Sequence, residues 1–236
     1  MSRFIHRIKG PKISCTVGIL SAGVGSRIKS HEPRALLKIK DKFLLEHQIE
    51  AVNSIFSSPE IITGVGYDAN KIIRKLYGKS RFVENQLYDT TGSFETLRLI
   101  VNNSASEALL FLHGDLFFRP NIFDGIDLSK SFVFADDSGT MNDREVGITE
   151  NRGRATIFSY GLCKKWCQIA LLTGKELSML RQICCKNSVE QKSLLTFEVL
   201  NAIINKGGII KVHDIPQKCI LEIDSMKDLG NENFNI

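Results

Sequence analysis

Between residues 22 and 34 the chain gathers the residue types that hold phosphate. Ala22-Gly23-Val24-Gly25-Ser26-Arg27 supplies two glycines and an arginine, and Pro33-Arg34 adds a second arginine. Glycine lets a backbone approach a phosphate closely and turn its amide donors outward. A guanidinium adds a forked, permanently charged clamp. Two arginines beside a glycine loop are more than a tight structural turn requires. Two familiar phosphate signatures do not match. The GxxxxGK(S/T) loop is absent, and the dinucleotide pattern GxGxxG lacks its third glycine, where Ile28 stands. An arginine inside the loop suits a free nucleoside triphosphate better than a dinucleotide.

Two carboxylates extend this chemistry. Asp115 follows a strongly apolar run in ALLFLHGDLFF. A charge there is costly unless it is paired or binds metal, so it reads as a Mg²⁺ ligand. A buried turn aspartate is the alternative. His113 beside it reads first as a structural histidine. Asp224 follows another apolar run in CILEIDSMKDL. It is either a second metal ligand or an aspartate opening a helix. A metal and two arginines would neutralise a triphosphate and stabilise the charge gathering on its α-phosphate during in-line attack. No Ser-His-Asp or Cys-His set is evident. The expected nucleophile is therefore the substrate's own phosphate, with pyrophosphate leaving.

These groups need a scaffold that brings them to one edge. Residues 14–21, SCTVGILS, read as a strand buried on both faces. Residues 42–57 carry Leu45, Ile49, Val52 and Ile55 at helical spacing, and Pro59 stops the helix. Strands are expected at 60–66, 81–85 and 108–118, and helices at 68–78 and 92–103. This alternation predicts an α/β fold with a mostly parallel central sheet and helices on both faces, of the Rossmann-like kind. Ligands of such sheets bind beyond the carboxyl ends of the strands. Further on, 131–137 reads as a strand and 145–158 as a hairpin around Asn151-Arg152-Gly153. Helices are predicted at 161–172, 174–186 and 193–207, strands at 208–215 and 218–224, and the start of a helix at 225–229. We expect residues 1–13 to be an arm and 14–236 to be one domain, with a small acceptor-side insertion of hairpin and helices around 131–190.

Bulk composition narrows the class. The 236 residues are 43% hydrophobic and 24% charged, as in ordinary globular domains. The net charge of +5 is mild, and the basic residues are scattered rather than gathered into a nucleic-acid stripe. No run of 18 apolar residues exists, so no spanning helix and no membrane partner are expected. No signal peptide is visible. The six cysteines form no CxxC pair and no zinc spacing. Buried free thiols in a reducing, cytoplasmic setting are the expected reading. A homo-oligomer remains open.

At this point the residues resemble a known family. TVGILSAGVGSRIKSHEPRALLKIKDKFLLEHQIEAV at 16–52, followed by HGDLF and CILEIDSMKDL, is similar to the sugar-phosphate nucleotidyltransferases. The chain is close in length to their small members, such as the CTP:phosphocholine cytidylyltransferases that serve cell-surface polymers. The resemblance implies that Gly23, Gly25, Arg27 and Arg34 grip the triphosphate and that Asp115 and Asp224 hold Mg²⁺. Arg34 stands where the family usually has a lysine, and Phe43 follows Lys42 where proline is common. Ser21, Ala22 and Gly66 would read the base through their backbone. Asn85, Gln86, Thr91 and Gly92 fall in the region that touches base and acceptor. The implied partners are an NTP, CTP or UTP first, and a phosphorylated small molecule.

The implied reaction is attack of a sugar 1-phosphate on the α-phosphate of the NTP, giving a nucleoside-diphosphate sugar and pyrophosphate. Phosphocholine or another phospho-alcohol is the nearest alternative acceptor, for which Tyr67, Tyr88, Phe94, Tyr160 and Trp166 could offer aromatic faces. A molybdopterin-type nucleotidyltransferase shares the opening motif. A glycosyltransferase would want a DxD-like motif, which HGD lacks. A non-catalytic nucleotide-binding protein of the same fold is the fourth reading.

Overall fold

The computed structural model describes residues 14–24, 32–136, 141–186, 188–216 and 219–223. Thirteen strands and six α-helices are formed by these residues. The strands are β1 (Cys15–Ser21), β2 (Lys38–Ile39), β3 (Lys42–Phe43), β4 (Glu60–Val65), β5 (Arg81–Glu84), β6 (Ala108–His113), β7 (Leu116–Phe118), β8 (Phe132–Asp136), β9 (Val146–Asn151), β10 (Arg154–Tyr160), β11 (Lys164–Thr173), β12 (Lys211–Asp214) and β13 (Ile220–Glu222). The helices are α1 (Leu44–Ile55), α2 (Ala69–Lys75), α3 (Ser93–Asn102), α4 (Gly174–Cys184), α5 (Val189–Lys192) and α6 (Thr196–Asn205).

Nine strands make one sheet in the order β5-β4-β1-β6-β11-β8-β12-β10-β9. The first four pair in parallel. β11 then pairs antiparallel with both β6 and β8. β9 also meets the first residues of β11, so the outer strands curl back on themselves. The chain runs from β1 through β4 to β5 on one side, then returns to lay β6 on the other. The strand order therefore reverses between β1 and β6, where α/β sheets open a crevice at their carboxyl ends.

Side-chain alternation explains the layers. Along β6, Leu110 and Leu112 pack with Leu45, Ile49 and Val52 of α1 and Ile72 of α2. Leu109 and Phe111 face the other way, towards Phe94 and Leu97 of α3, Leu180 of α4 and Ile203 of α6. A strand with period two and apolar residues at every position must be covered on both faces, and it is. The α/β fold with helices on both faces is as the sequence predicted.

One element differs. Residues 161–172, expected to be helical, form most of β11. Its apolar run Ile169–Leu172 is fully buried between β6 and β8. A short continuous apolar run reads alike as buried strand or buried helix, and here the sheet took it. The 145–158 hairpin forms as expected, with Arg152 and Gly153 both at positive φ in its turn. The 218–224 strand is observed as β13, which pairs with β7 outside the main sheet. The arm at 1–13 and the helix start at 225–229 lie outside the described residues. Cys15, Cys167 and Cys184 are buried free thiols, whereas Cys163 and Cys185 are exposed. Burial pushes each of the three buried thiols up to about 12. No helix among the described residues is long and apolar enough to cross a membrane.

Candidate active site

A cleft of about 190 Å³ opens at the carboxyl ends of β1, β5 and β6. Eight of the predicted site residues line it: Ser21, Ala22, Gly23, Arg34, Asn85, Thr91, Gly92 and Asp115. Among the described residues, nothing lies within 4 Å of where a Gly23 side chain would begin. Gly25, Arg27 and Asp224 lie outside the described residues.

Asp115 occupies the break between β6 and β7. The break has a device that holds it. Gln48, on the buried stripe of α1, donates its amide to the His113 carbonyl at 2.9 Å and the Leu116 carbonyl at 2.7 Å. The two bonds bracket Gly114-Asp115 and fix the turn. Gly114 lies so close to β1 that a side chain would begin 1.9 Å from Ser21 Oγ. Ile223, the residue after β13, donates its amide to the Asp115 carbonyl at 2.7 Å. The segment leading to Asp224 is thus drawn to Asp115 by pairing of β13 with β7.

The Asp115 carboxylate meets Arg34. Arg34 Nη1 donates to Asp115 Oδ2 at 2.6 Å, and the side chains are only 18% and 15% exposed. Asp115 Oδ1 is buried without a hydrogen-bond partner among the described residues. A buried carboxylate oxygen left unsatisfied in a cleft fits a cation it has yet to bind. Its partner Arg34 follows Pro33 in a short 3-10 turn whose Ala35 and Leu36 are buried, which anchors the arginine. Among the described residues no three His, Cys, Asp or Glu stand together as a metal cluster.

The remaining predicted residues divide by what they touch. Asn85 is buried and donates to Thr91 Oγ1 at 3.0 Å and Thr96 Oγ1 at 3.2 Å, while its carbonyl accepts from the Leu87 amide. Thr91 donates to the Leu87 carbonyl at 2.7 Å. Both residues hold the 85–92 loop in shape as a wall of the cleft. Gly66 and Gly92 are sites of close approach: a side chain would strike the Ala22 carbonyl at Gly66 and the Leu194 carbonyl at Gly92. Gly66 stands behind the cleft wall, where Tyr67 donates to the Ala22 carbonyl at 2.9 Å. Burial lowers the pKa of His113 more than the Asp115 charge raises it. Its ring contacts Thr196 Oγ1 at 3.2 Å and the edge of Trp166.

Sequence reasoning missed Gln48. Its signal was present, as a lone amide on the apolar stripe between Leu45 and Ile49. It is 1% exposed, and a buried amide on a core stripe implies carbonyls to satisfy.

Comparison with known proteins follows the same cleft. A family described as MobA-like NTP transferase domain matches residues 17–126. The bifunctional protein GlmU of Streptococcus gordonii is 33% identical over 98 residues, which is 41% of this chain and 21% of that protein. GlmU of Lactobacillus delbrueckii subsp. bulgaricus is 38% identical over 73 residues, 30% of this chain and 16% of that one. The chain therefore spans about a fifth of the length of the curated relatives it matches. The CTP:phosphocholine cytidylyltransferase of Streptococcus pneumoniae superposes with a TM-score of 0.74 at 22% identity, over 92% of this chain and 96% of that one. Residues 17–126 thus resemble an NTP transferase domain, and the chain as a whole shares the fold of such a transferase. The inositol-1-phosphate CTP transferase of T. maritima shares the fold as well, with a TM-score of 0.73 at 18% identity over 93% and 92% of the two chains. The chain shares the fold of these transferases, and the family match of residues 17–126 runs from β1 to just past β7.

Proposed function

We propose that this protein is an NTP transferase that moves a nucleotidyl group from an NTP, CTP or UTP first, to the phosphate of a sugar 1-phosphate, in a Mg²⁺-dependent reaction. One observation carries the reading. The part-buried Asp115 carboxylate has one oxygen on Arg34 and one buried oxygen without a hydrogen-bond partner among the described residues, in a glycine-lined cleft.

The division of labour follows from charge. The backbone from Ala22 to Gly25 cradles the triphosphate, and Arg27 and Arg34 neutralise it. Asp115 and Asp224 hold the Mg²⁺, which when bound supplies further positive charge at the phosphates. Arg34 and Asp115 neutralise each other until the triphosphate offers Arg34 a better anion. Asn85, Thr91 and Gly92 keep the wall that faces base and acceptor. An oxygen of the acceptor phosphate forms a bond to the α-phosphorus. The α–β anhydride bond breaks, and pyrophosphate carries the electron pair away. The acceptor phosphate is already ionised at neutral pH, so no general base is required.

The test is pyrophosphate release from each of four NTPs against a panel of phosphorylated sugars and alcohols, with Mg²⁺. We expect release with one NTP and a sugar 1-phosphate, and Asp115→Ala should abolish it. Full activity in that variant would remove the metal assignment. Glycosyl transfer from a nucleotide sugar, without pyrophosphate, would replace the reading altogether. NTP binding without turnover would favour a non-catalytic binder.

A further inference from the structure

The edge of the main sheet opposite the cleft gathers positive charge. β11 runs antiparallel to both β6 and β8, so β6 and β8 run the same way, and β12 is parallel to β8. β8 and β12 therefore begin at the edge away from the cleft. The turn between β9 and β10 lies at that edge too, because Arg154 pairs with Lys211 and Val212 donates its amide to the Gly153 carbonyl at 3.0 Å. Lys175 Nζ reaches the same region and donates to the Gly207 carbonyl at 3.1 Å. Arg152, Arg154, Lys175, Lys206 and Lys211 thus meet from distant stretches of sequence. Among the described residues none of them forms an ion pair. The acids beside them are engaged elsewhere. Asp127 pairs with Lys130 and Glu150 with Lys164, while Glu176 holds Ser131 Oγ and the Ile209 amide. Ile209, 49% exposed, stands between Lys206 and Lys211 in the chain. The sequence leaves these cations scattered, and the fold brings them together.

We propose that this edge docks on an anionic lipid surface. Charge complementarity sets the sign of the partner, and the make-up of the patch sets its class. Each Lys or Arg near a bilayer with acidic headgroups is drawn to it, and salt screens the attraction. A half-exposed isoleucine between long cationic side chains suits the boundary of headgroup and acyl chain, where the alkyl stems of those side chains also lie well. A single-stranded nucleic acid would want aromatic faces on which to stack its bases, and neither the five cations nor Ile209 supplies one. No helix among the described residues is long and apolar enough to cross a bilayer, so the contact is with its surface. Docked in this way, the chain holds its cleft away from the lipid.

The test is co-sedimentation of the full chain with vesicles of phosphatidylcholine alone and of phosphatidylcholine with phosphatidylglycerol, at low and at high salt. We expect binding to the acidic vesicles only, and its loss at high salt. Each cation replaced should lower the partition about fivefold, so R152Q/R154Q and K175Q/K206Q should each lose about 25-fold. All four side chains are exposed, and thermal melts check that both variants fold. R74Q/K75Q removes the same charge from the exposed side of α2 and should lose no more than about twofold. Ile209→Asn should weaken binding about fivefold and leave its salt dependence as it was. An equal loss in R74Q/K75Q overturns the proposal, because net charge rather than this edge would then be acting. Equal binding to the neutral vesicles overturns it as well. So does binding to polyglutamate, poly(U) or duplex DNA without binding to the acidic vesicles, since the partner would then be a charged chain. None of these readouts involves turnover, so the outcome is separate from that of the nucleotidyltransferase reading.

Discussion

The pair Arg34–Asp115 should be worth more to stability than a surface ion pair, and a double-mutant cycle measures it. The side chains are 18% and 15% exposed, and the contact is a charge-assisted hydrogen bond of 2.6 Å. Removing one partner from a fully buried pair costs about 3–5 kcal/mol, because the other charge stays behind. The residual exposure and the access of water to the cleft bring the expectation for Arg34→Met down to about 2–3 kcal/mol. For a chain of this length that is about 4–12 °C in melting temperature. Asp115→Asn strands the guanidinium instead and should cost a similar amount. The double variant strands neither charge.

The assay is urea unfolding of the wild type, both single variants and the double variant, with the m-value checked for constancy. We expect the double variant to lose at least about 1.5 kcal/mol less than the two singles together. Arg34 makes other contacts too. They are lost equally in the single and the double variant, so they cancel from the coupling term. Additivity within about 0.3 kcal/mol would refute the reasoning. Arg34 would then not be held by Asp115, and the exchange of Arg34 from carboxylate to triphosphate would lose its starting state.

Two further outcomes are expected. Gly114→Ala places a methyl group 1.9 Å from Ser21 Oγ and 3.0 Å from the Leu20 carbonyl, so it should cost about 1–3 kcal/mol and most of the activity; Ser21→Gly in the same chain should return much of the stability in thermal melts. Burial first, and Lys211 second, lower the pKa of His213 below its ordinary 6.5, with Asp214 opposing. The unfolded chain therefore takes up a proton there before the folded chain does, and stability should fall as pH drops below about 6.5. Melting curves from pH 7.5 to 5 should be flatter in His213→Gln, and an identical slope in that variant would count against the assignment.

The parallel half of the fold was legible because its code is local. Apolar strands alternate with amphipathic helices from residue 14 to 113, and that order narrows the sheet topologies to a few. Phosphate chemistry was legible for the same reason: glycines and arginines stand together in the sequence between 22 and 34. β11 was not, because Ile169–Leu172 takes its identity from the strands on either side rather than from its own period. Arg34 and Asp115 were each singled out, but for separate partners. That they meet depends on β1, α1 and β6 being in place, and they are 81 residues apart. Gln48 was hidden for the opposite reason. It sits within a well-read helix, and its function lies in two carbonyls of the β6–β7 break that no local pattern announces.

The cleft and a second cavity of about 170 Å³, which share Ser93 and His113, differ in what fixes their walls. The first combines side chains, Arg34, Asn85, Thr91 and Asp115, with backbone features, the close approach at Gly114 and a turn tied by Gln48. At Gly92 and Gly114 a side chain would meet the Leu194 carbonyl and Ser21 Oγ, so the chain path itself fixes that part of the wall. The second is built from side chains on β11, β13 and the segment before β9, joined by the contacts of Lys165 with Glu145 and Glu222 and of Gln168 with Glu222. Each of those side chains can be exchanged without moving the sheet. The strained backbone at Gln168, with a φ of +58°, is the exception, since it requires glycine, asparagine or a residue whose side chain repays the conformation. A glutamine there, with its amide on Glu222, is therefore the position of the second cavity where sequence and chemistry constrain each other most tightly.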